Sequence, residues 1–211
     1  MSNLILPKDK IISLDDCRLC GEGRKEMGSI GDRATVVYKS GKDPAIDWLV
    51  TLQKSNISDL GRGFTLMIMP IGHLTAFSDI LSSRELAQNY GITFAIAHYG
   101  MQVVRQEEWK SEYGNFAPTA VNYGKCASAI NTQEHFHVKA YTLDGGVNQP
   151  SPSDTEWIKR EILSDSNGSK YVKALPVIKG ELDEGRYHNL ASRLVEICTS
   201  SYLSLGKEIP W

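Results

Sequence analysis

The sequence predicts an α+β protein, with an antiparallel sheet, one long helix packed on it and a C-terminal helical extension. Three observations carry the prediction. Short runs rich in β-branched and aromatic residues, set apart by turn chemistry, recur at residues 35–39, 48–52, 64–69, 119–122 and 135–143. One segment, roughly residues 83–109, repeats apolar residues every third or fourth position. The 211 residues are 41% hydrophobic and 23% charged, enough for a core, yet no apolar run approaches the ~20 residues of a membrane helix.

Taken in order, residues 1–35 hold Cys17 and Cys20 and then Gly21, Gly23, Gly28 and Gly31, with neither a helical nor a strand period. They read as a loop-dominated lead-in that something else must tie down. The first two strands flank Ser40-Gly41-Lys42-Asp43-Pro44, a strong turn signal, and so form an antiparallel hairpin. Pro70, which cannot donate a ladder hydrogen bond, ends the third strand. Ser82 with Glu85 makes a capping box, and Leu86, Tyr90, Phe94, Ala97, Met101 and Val104 follow at helical spacing. Unbroken, that helix is ~40 Å long, with Gly91 and Gly100 as candidate bends. In the strand at residues 135–143, Phe136, Val138 and Ala140 alternate with His135, His137 and Lys139, which places the last three on one face. Beyond Asp144 a short helix near residues 154–163, a disordered-looking stretch at 164–169 and an amphipathic helix near 189–205 are expected.

A formal charge of −2, from 23 basic and 25 acidic residues, gives no broad positive field for nucleic acid or anionic lipid, so an anionic ligand must be held locally. The N-terminus has neither a signal-peptide core nor a cleavage site, and a cytoplasmic protein is expected. Four cysteines are too few for a disulfide scaffold. The close pair Cys17 and Cys20 suggests metal or redox chemistry, whereas Cys126 and Cys198 stand alone and read as structural.

Cys17-Arg-Leu-Cys20 has the spacing with which two thiolates grip half of a tetrahedral zinc site, and two further ligands are then needed. A thioredoxin-like redox role is the rival, but such a motif follows a strand and opens a helix, whereas Gly21 and Gly23 follow here. His135 and His137 are either a polar strand face or a pair of which one serves a metal while its neighbour faces a ligand; His73, just past a strand end, is on its own most simply a helix-approach or surface histidine.

Together these elements resemble the histidine triad superfamily, in the wide sense that includes galactose-1-phosphate uridylyltransferase and diadenosine tetraphosphate phosphorylase. The resemblance spans roughly residues 17–143. The family's elements stand in order as Cys17-Arg-Leu-Cys20, Met67-Ile-Met-Pro-Ile-Gly-His73, the long helix, Asn122-Tyr-Gly124, and Asn131-Thr-Gln-Glu-His135-Phe-His137-Val-Lys139-Ala-Tyr141. Counted without gaps from Asn122, the triad would begin at Gln133 instead. Members with the Cys pair complete a zinc site with the strand-end histidine and the first triad histidine, and only a triad starting at His135 supplies the latter. That choice also sets Thr132-Gln133 where the transferase branch has Ser-Gln, at the cost of a loop two residues longer, which is thermodynamically cheap.

The resemblance thus implies a closed, structural zinc ion on Cys17, Cys20, His73 and His135, and His137 as a nucleophile forming a covalent nucleotidyl-histidine. For His137 to attack, its other ring nitrogen must give its proton to a fixed acceptor such as a backbone carbonyl. Asn122, Asn131, Thr132 and Gln133 are implied as substrate contacts, although each also reads as an ordinary turn or strand-start residue. Lys139 departs from the family, which has His or Gln there; it is a phosphate contact, a mark of weak turnover, or a solvated lysine. No clear acidic ribose ligand precedes the Pro-x-x-His element, Gln53 and Asp59 being the nearest candidates. The implied organisation is a histidine-triad-like domain over residues 1–143 and a C-terminal extension over 144–211. The implied activity is hydrolysis or nucleotidyl transfer on nucleoside phosphates, dinucleoside polyphosphates or nucleotide-sugars by a homodimer, with no membrane or nucleic-acid partner. Two other readings stay open: a catalytically weak nucleotide-binding regulator, and a zinc-stabilised interaction module.

Overall fold

The computed structural model describes residues 7–56, 63–113, 119–123, 135–142, 160–164, 166–168, 170–174 and 180–208. The architecture is α+β. The strands are β1 (Ala34–Lys39), β2 (Trp48–Gln53), β3 (Ser55–Asn56), β4 (Thr65–Pro70), β5 (Thr119–Tyr123), β6 (Val138–Thr142), β7 (Arg160–Ser164), β8 (Lys170–Ala174) and β9 (Gly180–Glu181). The helices are α1 (Arg18–Arg24), α2 (Arg84–Tyr113) and α3 (Glu184–Glu208). A five-stranded antiparallel sheet runs β1-β2-β4-β6-β5, so the two strands that carry the motif residues, β4 and β6, lie side by side at its centre.

Strand alternation divides the molecule into two faces. Leu66 and Ile68 of β4, Val50 and Leu52 of β2 and Val138 and Ala140 of β6 point to one side, where α2 and α3 cover them with Leu86, Ile96, Met101, Tyr187, Leu194 and Ile197. Met67 and Met69 point to the other side and join Val36, Leu49, Ile71, Leu19 and the two lead-in cysteines in a smaller apolar cluster. Trp48 is fully buried between the layers and donates its indole N–H to the Leu86 carbonyl at 3.0 Å. The β1–β2 turn is knit by Asp47, whose carboxylate accepts from Ser40 Oγ at 2.8 Å and from the Asp43 amide at 2.9 Å.

Several elements differ from the sequence expectation. The lead-in contains α1, a seven-residue helix too short to display a period. The long helix is capped by Ser83, whose Oγ accepts the Leu86 amide at 2.9 Å; Ser82 instead ends a 3-10 turn over Phe77–Ser82, so the Ser82–Glu85 box does not form. The helix runs on through both glycines, and Gly100 lies where α2 meets α3, for a Cβ there would sit 3.1 Å from Cys198 Sγ. Ladder pairing of β6 begins at Val138, three residues later than the alternation suggests. Residues 160–163, expected to be helical, form β7, which pairs with β8 in a separate hairpin. Asn167-Gly168, with Gly168 at φ +78°, is the turn signal that marks it.

The last helix starts at Glu184, five residues earlier than its amphipathic period indicates, and shares the main core. Cys198 lies fully buried there, and burial pushes its thiol up to about 12, as befits a structural cysteine. The buried Tyr187 hydroxyl accepts from Thr35 Oγ1 at 2.8 Å and donates to the Gly31 carbonyl at 3.2 Å, tying α3 to β1 and to the lead-in. Tyr187→Phe removes both bonds and takes from the buried Thr35 hydroxyl its acceptor, and is expected to lower stability by about 1–2 kcal/mol, read as a lower denaturation midpoint with an unchanged m-value.

Candidate functional site

The Cys pair is organised by the first turn of α1. Cys17 is the N-cap in extended conformation (φ −81°, ψ 115°), and its Sγ accepts the Cys20 amide at 3.5 Å, so both sulfurs face the same side. Lys39 of β1 donates to the Gly23 carbonyl at 2.7 Å, fastening the far end of the helix to the sheet. Burial raises the Cys20 thiol above its ordinary range, so a thiolate is costly here unless a cation meets it.

Two imidazoles meet those sulfurs. His135 Nδ1 lies 3.4 Å from Cys17 Sγ and 3.5 Å from Cys20 Sγ, and His73 Nδ1 lies 3.6 Å from Cys20 Sγ. A tetrahedral zinc ion with ordinary zinc–sulfur and zinc–nitrogen bonds has a sulfur–nitrogen edge of about 3.6 Å, and these separations match it within ~0.2 Å. The four ligand atoms lie within 4.8 Å of one another, and this cluster could hold a metal ion. The other ring nitrogen of His135 is 3.2 Å from the Pro70 carbonyl. Because a carbonyl only accepts, Nε2 carries the proton and the Nδ1 lone pair faces the sulfurs. Burial pushes the imidazole pKa down to about 4, so His135 is neutral near pH 7, as a ligand must be.

His137 has the opposite arrangement. Its Nδ1 lies 3.0 Å from the backbone carbonyl of His135, which makes Nδ1 the protonated nitrogen and leaves the lone pair on Nε2. The ring is 3% exposed, more enclosed than the solvent-reachable pocket a surface strand face would offer. Lys139, partly exposed, stands in register with Met67 of β4 on one side and Asn122 of β5 on the other. Of the polar residues implied as substrate contacts, Asn122 is thus beside Lys139 in the ladder, while Asn131, Thr132 and Gln133 lie outside the described residues.

A carbonyl acceptor behind His137 is expected from the motif, but which carbonyl it is, and those that hold His135 and Phe136, motif reading misses. The carbonyls of Pro70, Leu74 and His135 hold the two histidines and the peptide between them, the Leu74 carbonyl by accepting the Phe136 amide at 2.7 Å. Carbonyls have no residue signature. The one available hint is Pro70 itself, which ends a strand and brings its C=O to a turn.

No family model matches the chain, and no curated protein matches it. Among solved structures, it is similar to a hypothetical histidine triad nucleotide-binding protein from Sulfolobus tokodaii strain 7. The two are 15% identical with a TM-score of 0.44, over 92% of this chain and 99% of that one.

With four converging donors, elemental analysis of the purified protein is expected to find one transition-metal ion per chain. Cys20→Ser should lose it, together with about 4 kcal/mol of stability, the linkage expected for a ligand a thousandfold above its dissociation constant. Metal-free protein whose melting temperature is unmoved by Cys20→Ser would exclude the site.

Proposed function

We propose that this chain binds nucleotides and transfers or hydrolyses a nucleotidyl group through His137, with a structural zinc ion on Cys17, Cys20, His73 and His135. The single observation that supports the reaction is the hydrogen bond from His137 Nδ1 to the His135 carbonyl, which puts the ring proton on Nδ1 and makes Nε2 the unprotonated nitrogen. A neutral imidazole in that state is a good nucleophile toward phosphorus. The two-thiolate, two-imidazole donor set supports zinc over other metals, and four protein ligands leave no open position for substrate. Zinc, when bound, supplies a rigid tie between lead-in and sheet, not chemistry at the substrate.

In the proposed reaction, Nε2 attacks the α-phosphorus of a nucleoside phosphate, dinucleoside polyphosphate or nucleotide-sugar. A P–N bond forms as the P–O bond to the leaving phosphate or sugar phosphate breaks, with the electron pair departing on that oxygen. The ring becomes cationic, and the His135 carbonyl, already accepting from Nδ1, steadies the charge. Water or an acceptor hydroxyl then attacks the same phosphorus, the P–N bond breaks with its electron pair returning to Nε2 as neutral imidazole, and the proton of the attacking group passes to solvent water. Lys139, on the face implied by alternation to carry His137, offers a point charge for phosphate oxygens, with Asn122 and the segment 131–133 as further donors. The elements that resemble the histidine triad superfamily support the same substrate class.

Incubation with a panel of radiolabelled nucleotides and acid-labile phosphohistidine analysis tests the reading. Label is expected on the parent chain and lost completely in His137→Ala, which should keep its metal and most of its stability. Lys139→Met should weaken nucleotide binding at low salt and flatten its ionic-strength dependence. Binding without label would reassign the chain as a nucleotide-binding regulator, and absence of binding would leave a zinc-stabilised interaction module.

A further inference from the structure

The segment that carries both histidines lies outside the strand ladder. Pairing between β4 and β6 starts at Ile68 opposite Val138, so residues 135–137 run past the end of the register. Their position is set from the turn at residues 70–74, which grips them twice: Pro70 accepts from His135 Nε2 at 3.2 Å, and Leu74 accepts from the Phe136 amide at 2.7 Å.

That turn is itself seated by contact. The Ile71 amide donates to the Asp47 carbonyl at 2.9 Å and the His73 amide to the Ile12 carbonyl at 2.8 Å. Between them, Gly72 lies flat against the β1–β2 turn. A Cβ on Gly72 would sit 2.2 Å from the Pro44 carbonyl oxygen and 2.5 Å from Ile11 Cγ2. Neither neighbour yields easily, since Ile11 is buried in the main core and residues 43–47 are closed by the Asp47 amide on the Asp43 carbonyl at 2.9 Å. Any side chain at residue 72 must therefore lift the turn by about 1 Å, taking the Pro70 and Leu74 carbonyls with it.

We infer that Gly72 is a positioning residue for His137: by letting the turn seat on Pro44 and Ile11, it fixes the peptide 135–137, and through the His135 carbonyl the tautomer and aim of the His137 ring. The kinetic consequence rests on the reading of His137 as the reacting group; the structural consequence does not. A displacement near 1 Å at a reacting atom costs about a hundredfold in rate, so Gly72→Ala should lower kcat by about that factor while KM stays within a few-fold.

The test compares Gly72→Ala with the parent in the metal-loaded protein. Amide exchange at Phe136 is expected to quicken by at least about tenfold while Val138, inside the ladder, keeps its protection. In a histidine-labelled sample at a pH where the imidazoles are neutral, nitrogen-15 shifts of His137 should move from a single Nδ1–H tautomer to a mixture. Unchanged Phe136 exchange and an unchanged tautomer overturn the inference, as does equal loss of protection at Phe136 and Val138, which would be general destabilisation. Should Gly72→Ala not fold, Ile11→Ala, which leaves a void against the same turn, is held to the same two readouts and the same overturning results. If both readouts respond as expected but the parent forms no phosphohistidine, the positioning stands and the assignment of His137 as nucleophile fails.

Discussion

The cysteine-bearing side of the sheet depends on the meeting of two sulfurs and two imidazole nitrogens that are far apart in the chain. Cys17 and His135 are separated by 118 positions, yet their donor atoms lie 3.4 Å apart. Buried thiols and imidazoles crowded this closely are unfavourable partners on their own, since burial opposes a thiolate and depresses the histidine. A divalent cation removes the conflict by accepting all four lone pairs at once. What the cluster secures is the lead-in, alongside the bond from Lys39 to the Gly23 carbonyl and a small apolar patch around Leu19, Met67 and Met69.

Alternation carries the two histidines to one face, and different backbone acceptors give them their different chemistry. Phe136, between them, is fully buried and turns toward Trp48, 6.2 Å away between ring centroids, and Phe77, 5.4 Å away. With that ring anchored in the core, its neighbours face the other way. Each then donates to a backbone carbonyl, but from opposite nitrogens: His135 through Nε2 to Pro70, His137 through Nδ1 to His135. The lone pair that stays is thereby on Nδ1 in His135, facing the cysteines, and on Nε2 in His137, although the residue type is the same.

Much of this was legible before any coordinates. Local periodicity marks β1, β2, β4, β5 and α2 within a few residues, and the order of Cys pair, strand-end histidine and His-x-His brings together the four residues that converge. The ladder boundary at Val138 was not legible, because alternation continues through His135 while pairing stops where the turn at residues 70–74 takes over. Nor was β7, since Ile162 and Leu163 earn their extended conformation from pairing with Val172 and Tyr171, which local apolar spacing cannot register. The Ser82–Ser83 ambiguity is of another kind: two adjacent hydroxyls compete for one cap, and the 3-10 turn that claims Ser82 decides between them.

The tie between the last helix and the second strand has a consequence for the order in which the molecule is built. The Leu182 amide donates to the Lys54 carbonyl at 2.9 Å, β9 pairs with β3, and Lys54 forms an ion pair with Glu184. Contacts between chain positions so widely separated carry a large loop-closure entropy and slow the search for the native topology. During synthesis the sheet emerges long before α3, leaving β1 and α2 without Tyr187, Leu194 and Ile197 over their apolar surface. The nascent chain thus passes through a stage in which this apolar surface is uncovered, a circumstance in which chaperone protection is of most value.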